Sequence, residues 1–252
     1  MEYKYFICDV FTKYKFSGNQ LVVFPNAQGL SDWQMQSIAK EFNFSEATFV
    51  FPSEHGNTRK VRIYTPTIEV PFAGHPNIGT AFALANQGMF GDLNEGVNIV
   101  FEEEAGRVPI KIQRDDSGDI WCELGAPEAL SIGVAVNKEL VGSVLSLNES
   151  EILTTTHPPQ VASVGLPFLF VELPSDPVLK KARINMPLLE DLLEETNVSY
   201  IHLYCRDVDE FDIKARMFAP LDGVFEDPAT GSANCALVAL LTCLLYTSPS
   251  PR

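Results

Sequence analysis

The sequence is short of basic residues: 18 Lys and Arg stand against 33 Asp and Glu, a net charge of −15. A field of that sign repels phosphate backbones and anionic lipid, which argues against a nucleic-acid partner and against a membrane surface. It still allows a small anionic ligand, because free N–H groups at a helix start hold an anion locally. Cysteine is sparse and scattered. Cys8, Cys122, Cys205, Cys235 and Cys243 form no CxxC pair, so they read as reduced thiols of a cytoplasmic protein. The four histidines (His55, His75, His157, His202) lie far apart and none sits in HExxH, so no metal site is expected. GxGxxG, GxxxxGK[ST] and GxSxG are all missing, which removes motif support for a dinucleotide enzyme, a P-loop enzyme and a serine hydrolase. Long apolar runs are missing too. The longest, Cys235 to Leu245, is too short to span a bilayer and reads as a buried helix. The start, MEYKYFICDVF, carries charge early and has no apolar h-region, so no signal peptide is expected.

What is present is the balance of a folded globule: 252 residues, 46% hydrophobic and 20% charged. At roughly 150 residues per domain this is one large domain or two small ones. Tyr3 to Phe11 and Leu21 to Phe24 are strand-like, with a turn at Ser17-Gly18-Asn19. Ser31 with Gln34 three residues on predicts a capped helix start, and Met35, Ile38, Ala39 and Phe42 give it one apolar face. The helix stops near Asn43, and Ala47 to Phe51 follows as a strand. Val61 to Tyr64 is another. Asn77 to Asn86 is nearly all apolar or small, a helix buried on most sides and stopped at Gly88. Val97 to Glu103, Val108 to Ile112 and Ile120 to Leu124 close the half as strands.

The turn Gly125-Ala126-Pro127 is the expected domain boundary, dividing the chain into 1–125 and 126–252. The second half repeats the texture, with strands within Val161 to Leu173, at Val198 to Tyr204 and at Ile213 to Phe218. It adds a helix at Leu188 to Glu195 and an apolar one starting near Ala233. One similarity ties the halves together. Glu69-Val70-Pro71-Phe72-Ala73-Gly74-His75-Pro76-Asn77 resembles Glu226-Asp227-Pro228-Ala229-Thr230-Gly231-Ser232-Ala233-Asn234, at an offset of 157 residues. A strand-like run ending in proline precedes each copy and an apolar helix follows it, which reads as a duplicated α/β unit. No closing strand follows the last helix. The sequence therefore reads as C-terminally truncated, with 246–252 (YTSPSPR) a non-native tail.

Three residues stand out chemically. Glu46 lies between a helix end and a strand among apolar neighbours; facing inward, desolvation would raise its pKa into the range where it both gives and takes a proton. The bland alternative is a solvated loop carboxylate. His75 follows Gly74 at a helix start, where the positive helix end favours the neutral ring; it could bind a carboxylate, move a proton or be structural. Asp227 is either a turn residue or a second acid–base group that orients His75. The helix starts at Gly74 and Gly231 offer N–H groups, and a cleft between two duplicated halves would let both hold one small carboxylate.

These residues carry a family resemblance. The stretches FSGNQ (Phe16 to Gln20), NFSEATFV (Asn43 to Val50), YTPTIEVPFAGHPNIGTA (Tyr64 to Ala81), GLPFLFVEL (Gly165 to Leu173) and MFAPLDGVFEDPATGSAN (Met217 to Asn234) resemble the PhzF-like phenazine-biosynthesis isomerases, within the diaminopimelate epimerase fold. The resemblance implies an α+β fold of two pseudo-symmetric domains, each a curved sheet wrapped around a central helix. It implies catalytic residues at Glu46, His75 and Asp227, and substrate contacts at Asn19, Gln20, Gly74, Gly231 and Ser232. It also implies a homodimer that needs no cofactor or metal. The activity it implies is an isomerase that moves a proton between carbons of a small cyclic or amino-acid-like carboxylate through a glutamate. A non-catalytic small-acid binder, or a lyase using the same carboxylates, are the alternatives. Related racemases use two cysteines where this chain has Ala73 and Thr230, and neither of those ionises near pH 7. Gln20 stands where the family pattern usually has proline; it loses proline's fixed φ and adds a polar side chain, which leaves the substrate open.

Overall fold

A computed structural model describes residues 2–208 and 211–246. The chain divides into two compact units: Met1–Gly125 with Asp222–Val224, and Ala126–Leu221 with Phe225–Arg252.

The first unit runs β1 (Phe6–Val10), β2 (Asn19–Phe24), α1 (Asp32–Phe42), β3 (Glu46–Phe51), β4 (Arg59–Tyr64), β5 (Glu69–Val70), α2 (Gly74–Asn86), β6 (Val97–Glu103), β7 (Gly106–Arg114) and β8 (Ile120–Leu124). Its strands form one sheet in the order β1-β2-β3-β4-β6-β7-β8, with β5 paired to β4. Both end strands, β1 and β8, pack on α2, so the sheet curves around that helix as a half-barrel. Strand alternation explains the two layers. Leu21 and Val23 of β2 face α2 in the main core, with Ile63, Ile99 and Ile110. Val22 and Phe24 face the other way, into a smaller core with Met35 and Ala39 of α1. Gly79 allows the close approach of α2: a Cβ there would lie 2.6 Å from Leu21 Cδ2 and 2.7 Å from Val10 Cγ2. A groove of about 830 Å³ opens along α2 with Cys8 of β1 and Cys122 of β8 in its walls.

The local signals act where the sequence places them. Ser31 and Gln34 make a reciprocal capping box, and Asn43 ends α1 in the left-handed region at φ 54°. Gly18, at φ 66°, turns the chain into β2 where a Cβ would strike Val10 O. The start of α2 differs from expectation. α2 begins at Gly74, three residues before Asn77, because Pro76 fits the first turn of a helix, where its missing N–H costs no hydrogen bond.

The second unit runs β9 (Ser131–Ala135), α3 (Lys138–Leu145), β10 (Gln160–Ser163), β11 (Pro167–Glu172), α4 (Asp176–Lys181), α5 (Met186–Thr196), β12 (Ile201–Val208), β13 (Phe211–Ala219), β14 (Val224–Asp227) and α6 (Gly231–Tyr246). The sheet order is β14-β13-β12-β11-β10-β9. The expected run from Val161 to Leu173 resolves into two antiparallel strands, and α6 starts at Gly231 rather than Ala233. Leu169 and Val171 face α3, α4 and α5 in the unit's main core. α6 packs on β10 and β11. Of the expected tail 246–252, Tyr246 is the last residue of α6 and the rest lies outside the described residues.

The repeat is visible in side chains as well as in sequence. Arg62 of β4 grips Glu69 of β5 through Nε and Nη2, at 2.7 and 2.5 Å. Arg216 of β13 grips Glu226 of β14 in the same two-point manner, at 2.6 and 2.8 Å. Each clamp closes the strand pair that precedes a glycine-led helix, α2 or α6.

Candidate active site

In the first unit the pairing register assembles the site. β2 and β3 are parallel, with Leu21 opposite Glu46 and Val23 opposite Thr48. Paired residues share a face, so Glu46 and Thr48 point toward α2 together with Asn19, Leu21 and Val23. There Glu46 Oε2 lies 3.3 Å from His75 Nδ1, and Asn19 Nδ2 lies 3.4 Å from the same nitrogen. His75 is almost fully buried, its side chain 5% exposed, while that of Glu46 keeps 17%. The carboxylate is therefore the member of the pair that a ligand can reach. Below it, Thr48 and Thr80 hydroxyls bond at 2.8 Å and lock β3 to α2.

The pair can hold one proton in two places. His75 Nδ1–H can donate to the ionised carboxylate, or Nδ1 can accept from the protonated carboxyl. The Asn19 amide, itself a donor, complements the second form. Gly74 and His75 are the first two residues of α2, and the preceding Ala73 supplies no side-chain cap. A helix start without a side-chain cap is a kind of site that takes an anionic ligand.

Gln20 is placed differently from its neighbour. It follows Asn19 on β2 and so points to the opposite face, with Val22 and Phe24. The structure does not bring it to Glu46 and His75. Thr48 and Thr80 were not singled out from the sequence. Thr48 follows Glu46 at the strand period of two, which is the signal that finds it.

The second unit holds Asp227, Gly231 and Ser232. Asp227 ends β14 and is buried, and its carboxylate accepts from the Thr230 hydroxyl. Gly231 and Ser232 open α6. His202 on β12 is fully buried, and burial pushes its ring down to about 4, so it is neutral.

No thiol takes part in either cluster. Burial pushes Cys8 up to about 11 and Cys122 up to about 12, so both stay protonated. Among the described residues no group of three or more His, Cys, Asp or Glu could hold a metal ion, and no helix is long and apolar enough to cross a membrane.

The family model described as phenazine biosynthesis-like protein matches residues 8–248. The chain belongs to this family. A protein from Mesorhizobium japonicum described as an uncharacterized isomerase is 33% identical over 246 residues, covering 94% of this chain and 80% of the relative. Trans-2,3-dihydro-3-hydroxyanthranilate isomerase from Pseudomonas fluorescens is 32% identical over 231 residues, covering 92% and 77%. Among solved structures, a PhzF-family phenazine biosynthesis protein from Bacillus anthracis is 25% identical, with a TM-score of 0.87 over 99% of this chain and 83% of that one. A Pseudomonas aeruginosa protein described as a predicted epimerase is 29% identical, with a TM-score of 0.81 over 96% and 82%. The fold is the two-domain α+β architecture of that family, and the chain is an isomerase-type enzyme.

Proposed function

We propose that the chain moves a proton between two carbons of a small carboxylate, with Glu46 as the group that takes the proton and returns it. The observation that carries this reading is the Glu46–His75 contact at 3.3 Å beside the uncapped start of α2. The substrate carboxylate sits at the start of α2, where Gly74 and His75 open the helix. Glu46 removes a proton from a neighbouring carbon made acidic by an adjacent electron-withdrawing group, and negative charge spreads into the substrate. His75 stabilises the newly protonated Glu46 by accepting from it, and the proton then returns to a second carbon. Asp227 is the second acid–base group, its position set by Thr230, and Gly231 and Ser232 add ligand contacts. The reaction needs no cofactor, because one carboxylate with a hydrogen-bonding partner completes the proton cycle. A dihydro-hydroxyanthranilate is the first substrate to test, on the strength of the Pseudomonas fluorescens relative.

The test is deuterium uptake from D₂O into a panel of small carboxylates that includes trans-2,3-dihydro-3-hydroxyanthranilate, followed by mass spectrometry. Uptake that disappears in Glu46→Gln supports the shuttle. A product lighter by about 18 Da (the mass of water) identifies a lyase built on the same acid–base step. Binding without uptake identifies a small-acid binder.

A further inference from the structure

β5 is the shortest strand of the first unit, two residues paired to β4 through Ile63–Val70 and Tyr64–Glu69. So short a strand is weakly held by its backbone alone. A side chain adds the rest. The Glu69 carboxylate accepts from Arg62 Nε and Nη2 at 2.7 and 2.5 Å and from the Tyr64 hydroxyl at 3.0 Å. Arg62 Nη1 donates to Asp32, the first residue of α1, at 2.6 Å. The guanidinium also lies over the Tyr64 ring, 5.4 Å from its centre. Val61 and Ile63 face α2, so Arg62 and Tyr64 lie on the opposite face, with α1. The clamp thus stands across the sheet from Glu46 and His75 and reaches them along the chain. Pro71, Phe72 and Ala73 belong to no helix or strand, and Gly74 opens α2 five residues after Glu69.

The second unit repeats the head of this device and changes its surroundings. Arg216 Nε and Nη2 donate to Glu226 at 2.6 and 2.8 Å, and the guanidinium lies 4.7 Å from the centre of the Phe218 ring. Gly231 opens α6 five residues after Glu226, and Asp227, next to Glu226 in β14, points to the opposite face. Arg216 Nη1 donates to Leu179 O and Ala182 O at the C-terminal end of α4, at 2.7 and 3.0 Å. A carboxylate at the start of one helix and two carbonyls at the end of another are unlike partners. The units share the two-point fork, the ring beneath it and the five-residue lead to a glycine. A pair kept for its charge alone needs none of these. Lys60–Glu54, also on β4, is such a pair: one contact at 2.8 Å, with the Glu54 side chain 59% exposed.

We propose that Arg62 and Arg216 are positioning residues: through Glu69 and Glu226 each fixes, from the far face of its sheet, the segment that opens a glycine-led helix, and so sets His75 in the first unit and Asp227 in the second. The inference rests on the isomerase reading only for its effect on turnover. A guanidinium meets a carboxylate along two parallel bonds and fixes its orientation as well as its distance, whereas an ammonium is a point charge. Lysine at either position therefore keeps the attraction and loses the alignment.

The experiment combines isotope exchange, urea unfolding and NMR on the whole chain. Arg62→Lys is expected to move the His75 ring signals and leave the Asp227 carboxyl-carbon signal in place, and Arg216→Lys to do the reverse. Exchange into the best panel substrate falls about tenfold in each, the cost of a small misplacement of a reacting group, while urea unfolding shows that both chains remain folded. Lys60→Gln breaks the one-point pair on β4 and leaves exchange and both signals unchanged. If a lysine variant does not fold, Glu69→Asp or Glu226→Asp, which keeps the charge and withdraws the carboxylate by one methylene, carries the same expectation. Signals that stay in place in the folded variants, an equal response to Lys60→Gln, or level exchange in a chain that turns substrate over, overturns the proposal. If no chain exchanges any substrate, the isomerase reading fails, and the NMR signals alone still decide for or against the clamps.

Discussion

The two units place their main cores on opposite sides of similar architectures. In the first, the larger core lies between the sheet and α2, the glycine-led helix, and α1 covers a smaller core on the other face. In the second, the larger core lies between the sheet and α3, α4 and α5. α6, which corresponds to α2 in the repeat, buries Ala233, Ala236, Leu237, Leu240 and Leu241 but leaves Val238 57% exposed. α2 buries nine of its thirteen residues. The same motif therefore starts a helix that is enclosed by its sheet in one unit and lies along its sheet in the other. An enclosed helix is held by its sheet on several sides, whereas one lying along its sheet is held on one.

Five changes sharpen or break this contrast. The largest effect is expected at the site. Glu46→Gln should lower isotope exchange about 10³-fold, within the span of general acid–base catalysis, and Asp227→Asn by less. Equal losses measured side by side would mean that Asp227 matters to turnover as much as Glu46. Next is the enclosed core. Leu84→Ala in α2 should cost about 3 kcal/mol in urea unfolding, because the half-barrel cannot collapse onto the cavity. Third, Glu103→Gln should stabilise the first unit at pH 8 and leave it unchanged at pH 4, measured as urea unfolding at the two pH values. The sign follows from a native pKa above the unfolded one. The neutral group is harmless below the ordinary carboxylate range, and its penalty accrues as pH rises toward 8. The smallest effect is on α6, where Val238→Ser should change stability by less than about 0.5 kcal/mol. A loss near that of Leu84→Ala would show that the exposed face of α6 is covered in solution.

The sequence announced elements whose signals are local. The Ser31–Gln34 box, the Asn43 stop and the β6–β7 hairpin all depend on neighbours a few residues away. Elements without such signals were not legible. All five residues of β9 are exposed, so it shows no alternation. α4 has six residues and α3 eight, too few to establish a helical period. β14 is hidden inside the motif that carries Glu226 and Asp227. In the site, Glu46 and His75 were legible as residue types next to a helix end and a helix start. Their contact depends on the parallel register of β2 with β3, which joins segments 25 residues apart and leaves no local trace. Gln20 shows the limit from the other side. Adjacent positions in a motif share a sequence, but in a strand they do not share a face.

The end of β6 also sets the range of acidity in which the first unit is sound. Glu102 accepts from the backbone of Glu54, His55 and Asn57 and from the side chains of Ser53 and Asn57, and these bonds hold its carboxyl well below the usual range. That loop is secured only while Glu102 is ionised, so the anchorage weakens as acid protonates it. Glu103, the next residue along, is sound only while it is neutral. Alkali therefore charges a buried carboxyl on one face of the strand, and acid loosens the loop on the other. Two consecutive glutamates thus act as the lower and upper stops of one pH window.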